Sequence, residues 1–367
     1  MLAADQCDSY DMSTVVRAIQ MAFPDHVRSQ DDIARGLAEA MGLDAHSSER
    51  LRRIHVATGV ESRRLVLPLD RYAGLENFTE TNNIWIDEGL RLSEQAAKAA
   101  LNEAGISPED VDLIMVVSVT GIAAPSLDAR LVSRLGLRSD VARIPIFGWG
   151  CVGGASGIAR MRDVLGGRHR VGLLLSVELC SLTVQRDDVS LTNFIASGLF
   201  GDGVAAVVMT AEDHNDAPSG EVFPQVVDSQ ARVYPDSEDV LGWDIGEFGF
   251  RIVLSSELSD MIRNHLGEEV DLLLARNGLS RSDVSTWIAH TGGPKVIDAI
   301  EDALALPPEA LRHTRESLAQ VGNLSSASVI DVLQRTVHDG TARAGQFGVL
   351  MAMGPGFSSE CVLLCWK

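Results

Sequence analysis

The chain has 367 residues, of which 46% are hydrophobic and 22% charged, a balance typical of a globular protein with a sizeable core. Its 51 acidic against 31 basic residues give a net charge of −20, which argues against nucleic acid and anionic membrane surfaces as partners. No apolar run is long enough to span a bilayer, and the acidic N-terminus resembles no targeting signal. We therefore expect a cytoplasmic protein.

The predicted elements alternate between short apolar strands and amphipathic helices, the pattern of an α/β fold. In chain order they are strand 15–23, helix 29–41, helix 77–104, and strands 111–119, 143–147, 171–179 and 204–210. After the acidic stretch 211–220 come strand 221–229, helix 255–276, and strands 286–290, 346–353 and 360–366. Few polar residues interrupt the strands, so we expect helices on both faces of the sheet. The acidic stretch predicts two units, 1–215 and 216–367.

An internal repeat gives the strongest indication of architecture. NEAGISPEDVDLIMVVS (102–118) matches ARNGLSRSDVSTWIAHT (275–291) at an offset of 173 residues. GCVGGAS (150–156) matches GNLSSAS (322–328) at an offset of 172 residues. Two separate segments with nearly the same offset predict a duplicated βα unit, its halves packed about a pseudo-twofold axis.

Cys151 is the candidate nucleophile among five dispersed cysteines at positions 7, 151, 180, 361 and 365. It follows Gly150 and precedes small residues that begin a predicted helix. A helix start presents unpaired N–H groups and partial positive charge, so we expect a lowered thiol pKa. The alternative is a small buried cysteine where strand meets helix. No CxxC occurs and no His lies at ligand spacing from a Cys, so we expect no metal.

Asn323 and His290 complete a candidate set with Cys151. Asn323 occupies the position equivalent to Cys151 in the second repeat, and the pseudo-twofold axis would bring the two helix starts together. His290 ends a predicted strand and precedes Thr-Gly-Gly-Pro, and ligand sites collect at such strand ends. Alone, Asn323 would be interpreted as a helix cap and His290 as structural; together with Cys151 they indicate a nucleophile and polarising groups.

These residues lie in motifs that resemble the type III polyketide synthases, the chalcone- and stilbene-synthase-like family of the thiolase fold. The motifs are GCVGGASGIAR around Cys151, LFGDG at 199–203, HTGGPK at 290–295, GNLSSAS at 322–328 and GPGFSSE at 354–360. The resemblance covers nearly the whole chain. It implies α-β-α-β-α layers, a homodimer, and CoA thioesters as substrates without any cofactor.

The resemblance also implies a role for each member of the set. Cys151 would accept a starter acyl group as a thioester, and His290 would keep Cys151 ionised by pairing with it. His290 and Asn323 would then stabilise the enolate that forms when a malonyl or substituted malonyl thioester loses CO₂. The enolate would extend the chain by two carbons, and repeated extension would precede ring closure.

Further residues are assigned by the same resemblance. Substrate-cavity positions would be Phe200 as gate, Ile252, Trp243, Thr183, Cys180, Ser325, Gly354 and Pro355. CoA contacts would come from Arg63, Arg64 and Lys295, although an ordinary solvated basic surface is the alternative for the arginines. Ile252, Trp243 and Ala124 depart from the plant pattern, and these departures resemble bacterial alkylpyrone or alkylresorcinol synthases with aliphatic starters.

Two other functions remain open. An initiating β-ketoacyl-carrier-protein synthase shares the fold and a Cys-His-Asn set but performs one condensation; HTGGPK and GPGF match the polyketide family better. A non-enzymatic binding protein of the same fold would be expected to lose members of the set, and all three are present. The starter would arrive on CoA or on an acyl carrier protein.

Overall fold

The computed structural model describes residues 14–211 and 222–367. Its strands are β1 (Thr14–Ala22), β2 (His26–Ser29), β3 (Ser62–Leu65), β4 (Leu113–Ser118), β5 (Ala142–Phe147), β6 (Val171–Leu179), β7 (Asp202–Ala211), β8 (Pro224–Val233), β9 (Leu241–Gly246), β10 (Gly249–Leu254), β11 (Val284–Ala289), β12 (Phe347–Gly354) and β13 (Ser358–Trp366). The boundary predicted at residue 215 and Cys7 lie outside the described residues, and the two-unit division stays a prediction.

Helices of the described ranges alternate with these strands, as the sequence pattern predicts. They are α1 (Gln30–Ala40), α2 (Ala45–Ala57), α3 (Leu69–Tyr72), α4 (Phe78–Ala104), α5 (Leu127–Leu135), α6 (Gly153–Val164), α7 (Leu191–Leu199), α8 (Leu258–Arg276), α9 (Pro294–Leu304), α10 (Arg312–Val321) and α11 (Ser328–Asp339). Short 3₁₀ turns at Gly150–Val152 and Ser325–Ala327 lie just before α6 and α11.

Nine strands form one mixed sheet in the order β11-β12-β13-β8-β1-β7-β6-β4-β5. On one side β4 runs parallel to β6, β6 antiparallel to β7, and β7 antiparallel to β1. On the other side β11 runs parallel to β12, β12 antiparallel to β13, and β13 antiparallel to β8. Since β1 and β8 pair antiparallel in the middle, the two four-strand sets repeat about a pseudo-twofold axis, and the predicted duplication is confirmed.

Three hydrophobic cores show the layers. The central core joins α6 and α11 to strands of both halves, through buried residues such as Ile158, Ile330, Met115 and Leu350. One outer core packs α4 and α5 against the N-terminal strands, and the other packs α8 and α9 against the C-terminal strands. The chain therefore has the α-β-α-β-α order that the resemblance implied, with the starts of α6 and α11 in the middle layer.

Two small antiparallel sheets, β2–β3 and the β9–β10 hairpin, were not predicted from the sequence. β9 and β10 are interrupted by Gly and charged residues, so their apolar periodicity is weak. Aromatic contacts stabilise the hairpin instead. The Phe250 ring packs edge-to-face on Phe78 with ring centres 5.3 Å apart and lies 5.9 Å from the Trp243 ring. This hairpin forms part of the wall of the cavity described below.

Close approach of the two central helix starts requires Gly154. A Cβ atom there would lie 2.1 Å from the backbone oxygen of Ser326 and 2.8 Å from Cγ1 of Val329. We expect Gly154→Ala to lower the free energy of unfolding by about 1–3 kcal/mol, because the added methyl group would push the two helix starts apart and force the core between them to repack. Urea unfolding would measure this. Gly167→Ala is the control, because a Cβ atom at Gly167 meets nothing within 4 Å; equal losses in both variants would contradict the close packing.

Candidate active site

Cys151 lies in the 3₁₀ turn that leads into α6 and is only 8% exposed. The preceding Gly150 has a φ of 54°, and a Cβ atom there would lie 2.6 Å from Cδ of Pro355. A Cβ atom on Gly354 would likewise meet the backbone oxygen of Trp149 at 2.6 Å. The two glycines therefore let the Gly354-Pro355 loop pack directly on the turn that holds the thiol.

Burial determines the acid–base state of the thiol. It raises the pKa of Cys151 to about 12, and the nearby carboxyl of Glu178 adds to the rise. The prediction of a lowered thiol pKa was wrong, because excluding water from the thiolate outweighs the favourable start of α6. The hydrogen-bond partner of the sulfur is the hydroxyl of Ser325, 3.9 Å away.

Asn323 is held in one orientation by its neighbours. Its Oδ1 accepts hydrogen bonds from the backbone N–H of Ser325 at 2.8 Å and from Oγ of Ser328 at 3.2 Å. Ser325 has a φ of 50°, an uncommon left-handed conformation for a residue other than glycine. Among the described residues Nδ2 has no acceptor, so the amide is set to donate hydrogen bonds to a ligand.

His290 directly follows β11, and its backbone N–H donates to the carbonyl of Met351 at 3.0 Å. The side chain is 3% exposed, burial lowers its pKa to about 3, and its Nδ1 is buried without a partner among the described residues. Thr291 next to it donates to Oγ of Ser328 at 2.8 Å, and Ser328 in turn donates to Asn323.

Hydrogen bonds therefore place the three predicted residues in one region. Ser325 connects Cys151 to Asn323, and Ser328 connects Asn323 to the residue beside His290. Among the described residues no hydrogen bond joins the imidazole to the sulfur, which differs from the pairing expected from the resemblance. Burial favours the neutral form of both groups, which opposes an ion pair between them.

Glu178 is a buried acid next to the nucleophile that the sequence reasoning missed. It lies in the uninterrupted apolar strand β6, and its pKa is raised to about 7 by burial. Its oxygens accept hydrogen bonds from Thr120 at 2.9 Å, from the Val119 N–H at 3.3 Å, and from Ser326. A lone charged residue inside an apolar strand was the available signal.

The raised pKa of Glu178 makes stability depend on pH. The folded protein retains this proton where the unfolded chain, with an ordinary pKa of 4.5, has released it. The free energy of unfolding therefore falls as pH rises from about 4.5 to about 7. In the wild type this fall between pH 5 and pH 8 should amount to up to about 3 kcal/mol. Glu178→Gln cannot titrate at this position, so it should lack this part of the pH dependence.

Urea unfolding of wild type and variant at both pH values measures the effect of Glu178→Gln. Glu309→Gln on the surface serves as the matched control, because Glu309 is exposed. An identical pH dependence in wild type and Glu178→Gln would show that Glu178 does not titrate in this range.

A cavity of 210 Å³ adjoins Phe200, which pairs with Asn323, but Cys151, His290 and Asn323 are not among the residues that line it. Of the predicted site residues, it is lined by Phe200, Ile252, Trp243, Thr183, Cys180 and Arg63. Ser325, Gly354 and Pro355 are absent from its walls and lie instead at the Cys151 turn. Phe200 lines the cavity and pairs with Asn323 through a backbone bridge, so it adjoins both, and its role as a gate stays a prediction.

The predicted CoA contacts have different environments. Arg63 is 3% exposed, and its guanidinium donates to the carbonyl of Phe200 at 2.6 Å and to Gln30 at 2.9 Å. It therefore lies in the interior and not at a phosphate-binding rim, because its neighbours in the fold cover it. The Arg64 guanidinium lies 5.3 Å from the Phe23 ring centre, and Lys295 is exposed at the start of α9.

Within residues 14–211 and 222–367 no group of three or more His, Cys, Asp or Glu side chains is arranged to hold a metal ion. In the same part of the chain, every helix is too short or too polar to cross a membrane.

Comparison with known families accounts for nearly the whole chain. Residues 4–213 match the N-terminal domain of chalcone and stilbene synthases, and residues 225–365 match their C-terminal domain. The 1,3,6,8-tetrahydroxynaphthalene synthase of Streptomyces peucetius subsp. caesius is 48% identical over 357 residues, which cover 97% of this chain and 94% of that protein. The phloroglucinol synthase of Pseudomonas fluorescens is 32% identical over 348 residues, 94% and 97% of the two chains.

Solved structures agree with this comparison. The crystal structure of 1,3,6,8-tetrahydroxynaphthalene synthase from Streptomyces coelicolor A3(2), a bacterial type III polyketide synthase, superimposes with a TM-score of 0.88 at 29% identity. The superposition covers 96% of this chain and 99% of that one.

Proposed function

Because the chain belongs to the chalcone and stilbene synthase family, we propose that it builds a polyketide on Cys151 by repeated decarboxylative condensation and closes it to a ring. Members of this family are type III polyketide synthases: condensing acyltransferases that use CoA thioesters and need no further cofactor. The main support is the set of hydrogen bonds that connects Cys151 to Asn323, and Asn323 to Thr291 beside His290.

Loading begins from a neutral thiol and a neutral imidazole. As Cys151 Sγ attacks the carbonyl carbon of the acyl thioester, its proton passes to the imidazole of His290. His290 then protonates the departing CoA thiolate, so CoA leaves as a thiol and the acyl group remains on Cys151. The raised pKa of Cys151 and the lowered pKa of His290 support this order, because a charged pair is disfavoured until substrate is present.

Extension uses the same imidazole as a hydrogen-bond donor. Loss of CO₂ from malonyl-CoA leaves an enolate oxygen, which the imidazole N–H of His290 and the Nδ2 of Asn323 would stabilise. The fixed orientation of the Asn323 amide supports this role. The enolate carbon then bonds to the acyl carbonyl carbon, the bond to Cys151 breaks, and the longer chain returns to Cys151 for the next cycle.

The cavity favours malonyl-CoA as starter as well as extender. Thr183, Asn193 and Ser197 contribute polar groups to walls that are otherwise largely apolar, and its volume of 210 Å³ is smaller than the usual ligand site of about 300–1,000 Å³. This size favours a small starter over a long alkyl chain. The naphthalene synthase relatives are named for an aromatic product without an alkyl chain, so we infer a polyhydroxylated aromatic product.

The aliphatic starter and a pyrone or resorcinol product are the second candidate. Ile252 and Trp243 line the cavity, and these apolar departures from the plant pattern favour it.

Product mass spectrometry distinguishes these functions. The protein is incubated with malonyl-CoA alone, and then with malonyl-CoA and a panel of acyl-CoA or acyl-carrier-protein starters. An aromatic product from malonyl-CoA alone supports the main proposal, and products that require an acyl starter support the second candidate. A single condensation on a carrier protein would favour an initiating ketoacyl synthase, and no CO₂ release would contradict the whole proposal.

Homodimerisation and a cytoplasmic location are further parts of the proposal. β5 is an edge strand, and Phe147 at its end and Ile122 are each 47% exposed, which supports contact with a second copy. Light scattering of the purified chain would show twice the mass of one 39.4 kDa chain.

A further inference from the structure

One wall of the cavity carries a chain of hydroxyl groups that the condensation steps do not use. Tyr72 and Ser181 both line the cavity, and their side-chain oxygens are 2.6 Å apart. Ser181 Oγ lies 2.5 Å from Oδ2 of Asp202, which is wholly buried at the start of β7. The chain therefore leads from the cavity to a carboxyl group that solvent does not reach.

The direction of these hydrogen bonds follows from the number of protons available. Asp202 as a carboxylate only accepts, so the single hydroxyl proton of Ser181 points to Asp202. Ser181 must then accept from Tyr72, whose own oxygen accepts from the backbone N–H of Leu67 at 3.3 Å. One lone pair of the Tyr72 oxygen remains for a molecule in the cavity.

We propose that Tyr72, Ser181 and Asp202 form a proton relay for carbon–carbon ring closure, with Tyr72 as the group that touches the polyketide. The inference rests on the proposed function, since it assigns the relay to the chain that Cys151 builds. The carbon between two carbonyls of a polyketide must lose a proton before it attacks a third carbonyl. Lactone formation starts from the enol tautomer, whose oxygen attacks and releases its O–H proton, so it needs no base positioned at the carbon during ring closure.

The transfer is balanced in atoms and charge. The C–H bond breaks and its proton moves to the Tyr72 oxygen, the tyrosine proton moves to Ser181, and the serine proton moves to Asp202. The carbanion electrons form the new carbon–carbon bond, and the carbonyl that is attacked becomes an alkoxide. The same path in reverse returns the proton to that alkoxide and restores Asp202 as a carboxylate.

Charged and titratable groups around Asp202 suit this cycle. Burial raises the pKa of Asp202 to about 6, whereas the backbone N–H groups of Ser181 and Val66 and the charge of Arg63 oppose the rise. Tyr72 and Cys180 also face Asp202, and the pKa of each is raised. Arg63 lines the cavity with its Nε buried and unpartnered among the described residues, which adds positive potential where an enolate would form.

The test separates ring closure from chain extension. Wild type, Tyr72→Phe and Ser181→Ala are each supplied with malonyl-CoA. CO₂ release reports extension, and mass spectrometry reports the ratio of carbocyclic to lactone products. We expect CO₂ release within about twofold of wild type, while the carbocyclic fraction falls about tenfold or more and lactones accumulate. Ser181→Thr restores the hydroxyl and should restore carbocyclic product.

A matched control and a pH series exclude a merely structural role. Tyr234→Phe removes another buried tyrosine hydroxyl, which lies 3.4 Å from Ser359 Oγ away from the cavity, and should leave the product ratio unchanged. The carbocyclic fraction of wild type should rise as pH increases through about 6, where Asp202 ionises, and should stay low and level in Tyr72→Phe.

Several results would overturn the relay. They are an unchanged product ratio in both Tyr72→Phe and Ser181→Ala, equal loss of CO₂ release in Ser181→Ala and Ser181→Thr, or a wild-type enzyme that forms lactones alone. A wild-type protein that releases no CO₂ from malonyl-CoA would instead overturn the proposed function.

Discussion

Cys151→Ala should abolish covalent loading and lower the rate of product formation by about four orders of magnitude or more. The sulfur is the proposed acyl acceptor, and alanine offers no atom that can form the thioester. Intact-protein mass spectrometry after incubation with acyl-CoA or malonyl-CoA would measure loading directly. Wild type should gain the mass of the acyl group, and the variant should show none.

Cys361→Ala is the matched control for this experiment. Cys361 is also a buried free cysteine, but it lies in the middle of β13, in the core between α8, α9 and the sheet. Its removal should leave acyl loading intact. An acylated Cys151→Ala protein, or loss of loading in Cys361→Ala as well, would refute the assignment of the nucleophile.

Decarboxylation should survive replacement of the nucleophile but not of the imidazole. Cys151→Gln cannot be acylated, yet it retains His290 and Asn323 to stabilise the enolate from malonyl-CoA. His290→Ala removes one of the two donors, so decarboxylation should fall about 10²–10³-fold below that of Cys151→Gln. Release of labelled CO₂ from malonyl-CoA labelled at the free carboxyl measures the rate.

The double variant Cys151→Gln/His290→Ala completes the comparison. If the imidazole acts on the enolate independently of the thiol, the double variant should decarboxylate as slowly as His290→Ala. Equal rates in Cys151→Gln and His290→Ala would mean that His290 has no part in stabilising the enolate, and the proposed mechanism would have to place that role elsewhere.

Much of the fold was predictable because its strands are buried on both faces. The predicted strands 111–119 and 171–179 correspond to β4 and β6, and the repeat at offset 173 relates β4 to β11. In contrast, the β9–β10 hairpin escaped prediction, since contacts of Phe250 with Phe78 and Trp243 stabilise strands whose own sequence is weakly apolar.

The candidate site also contains residues that the sequence indicated and residues whose part only the structure shows. Cys151, His290 and Asn323 were selected by sequence because each stands at a junction between elements, and two of them are related by the repeat. Ser328 and Ser325 link them, and their part depends on side chains that meet only after α6 and α11 pack together.

The sequence by itself determined the fold class, the duplication, the family and the three candidate catalytic residues, because apolar periodicity and motif spacing are local properties. Tertiary structure decided the raised pKa of the Cys151 thiol, the interior position of Arg63, and the chain from Tyr72 through Ser181 to Asp202. These features depend on burial and on contacts between distant segments. Tyr72 and Ser181, for example, are 109 residues apart.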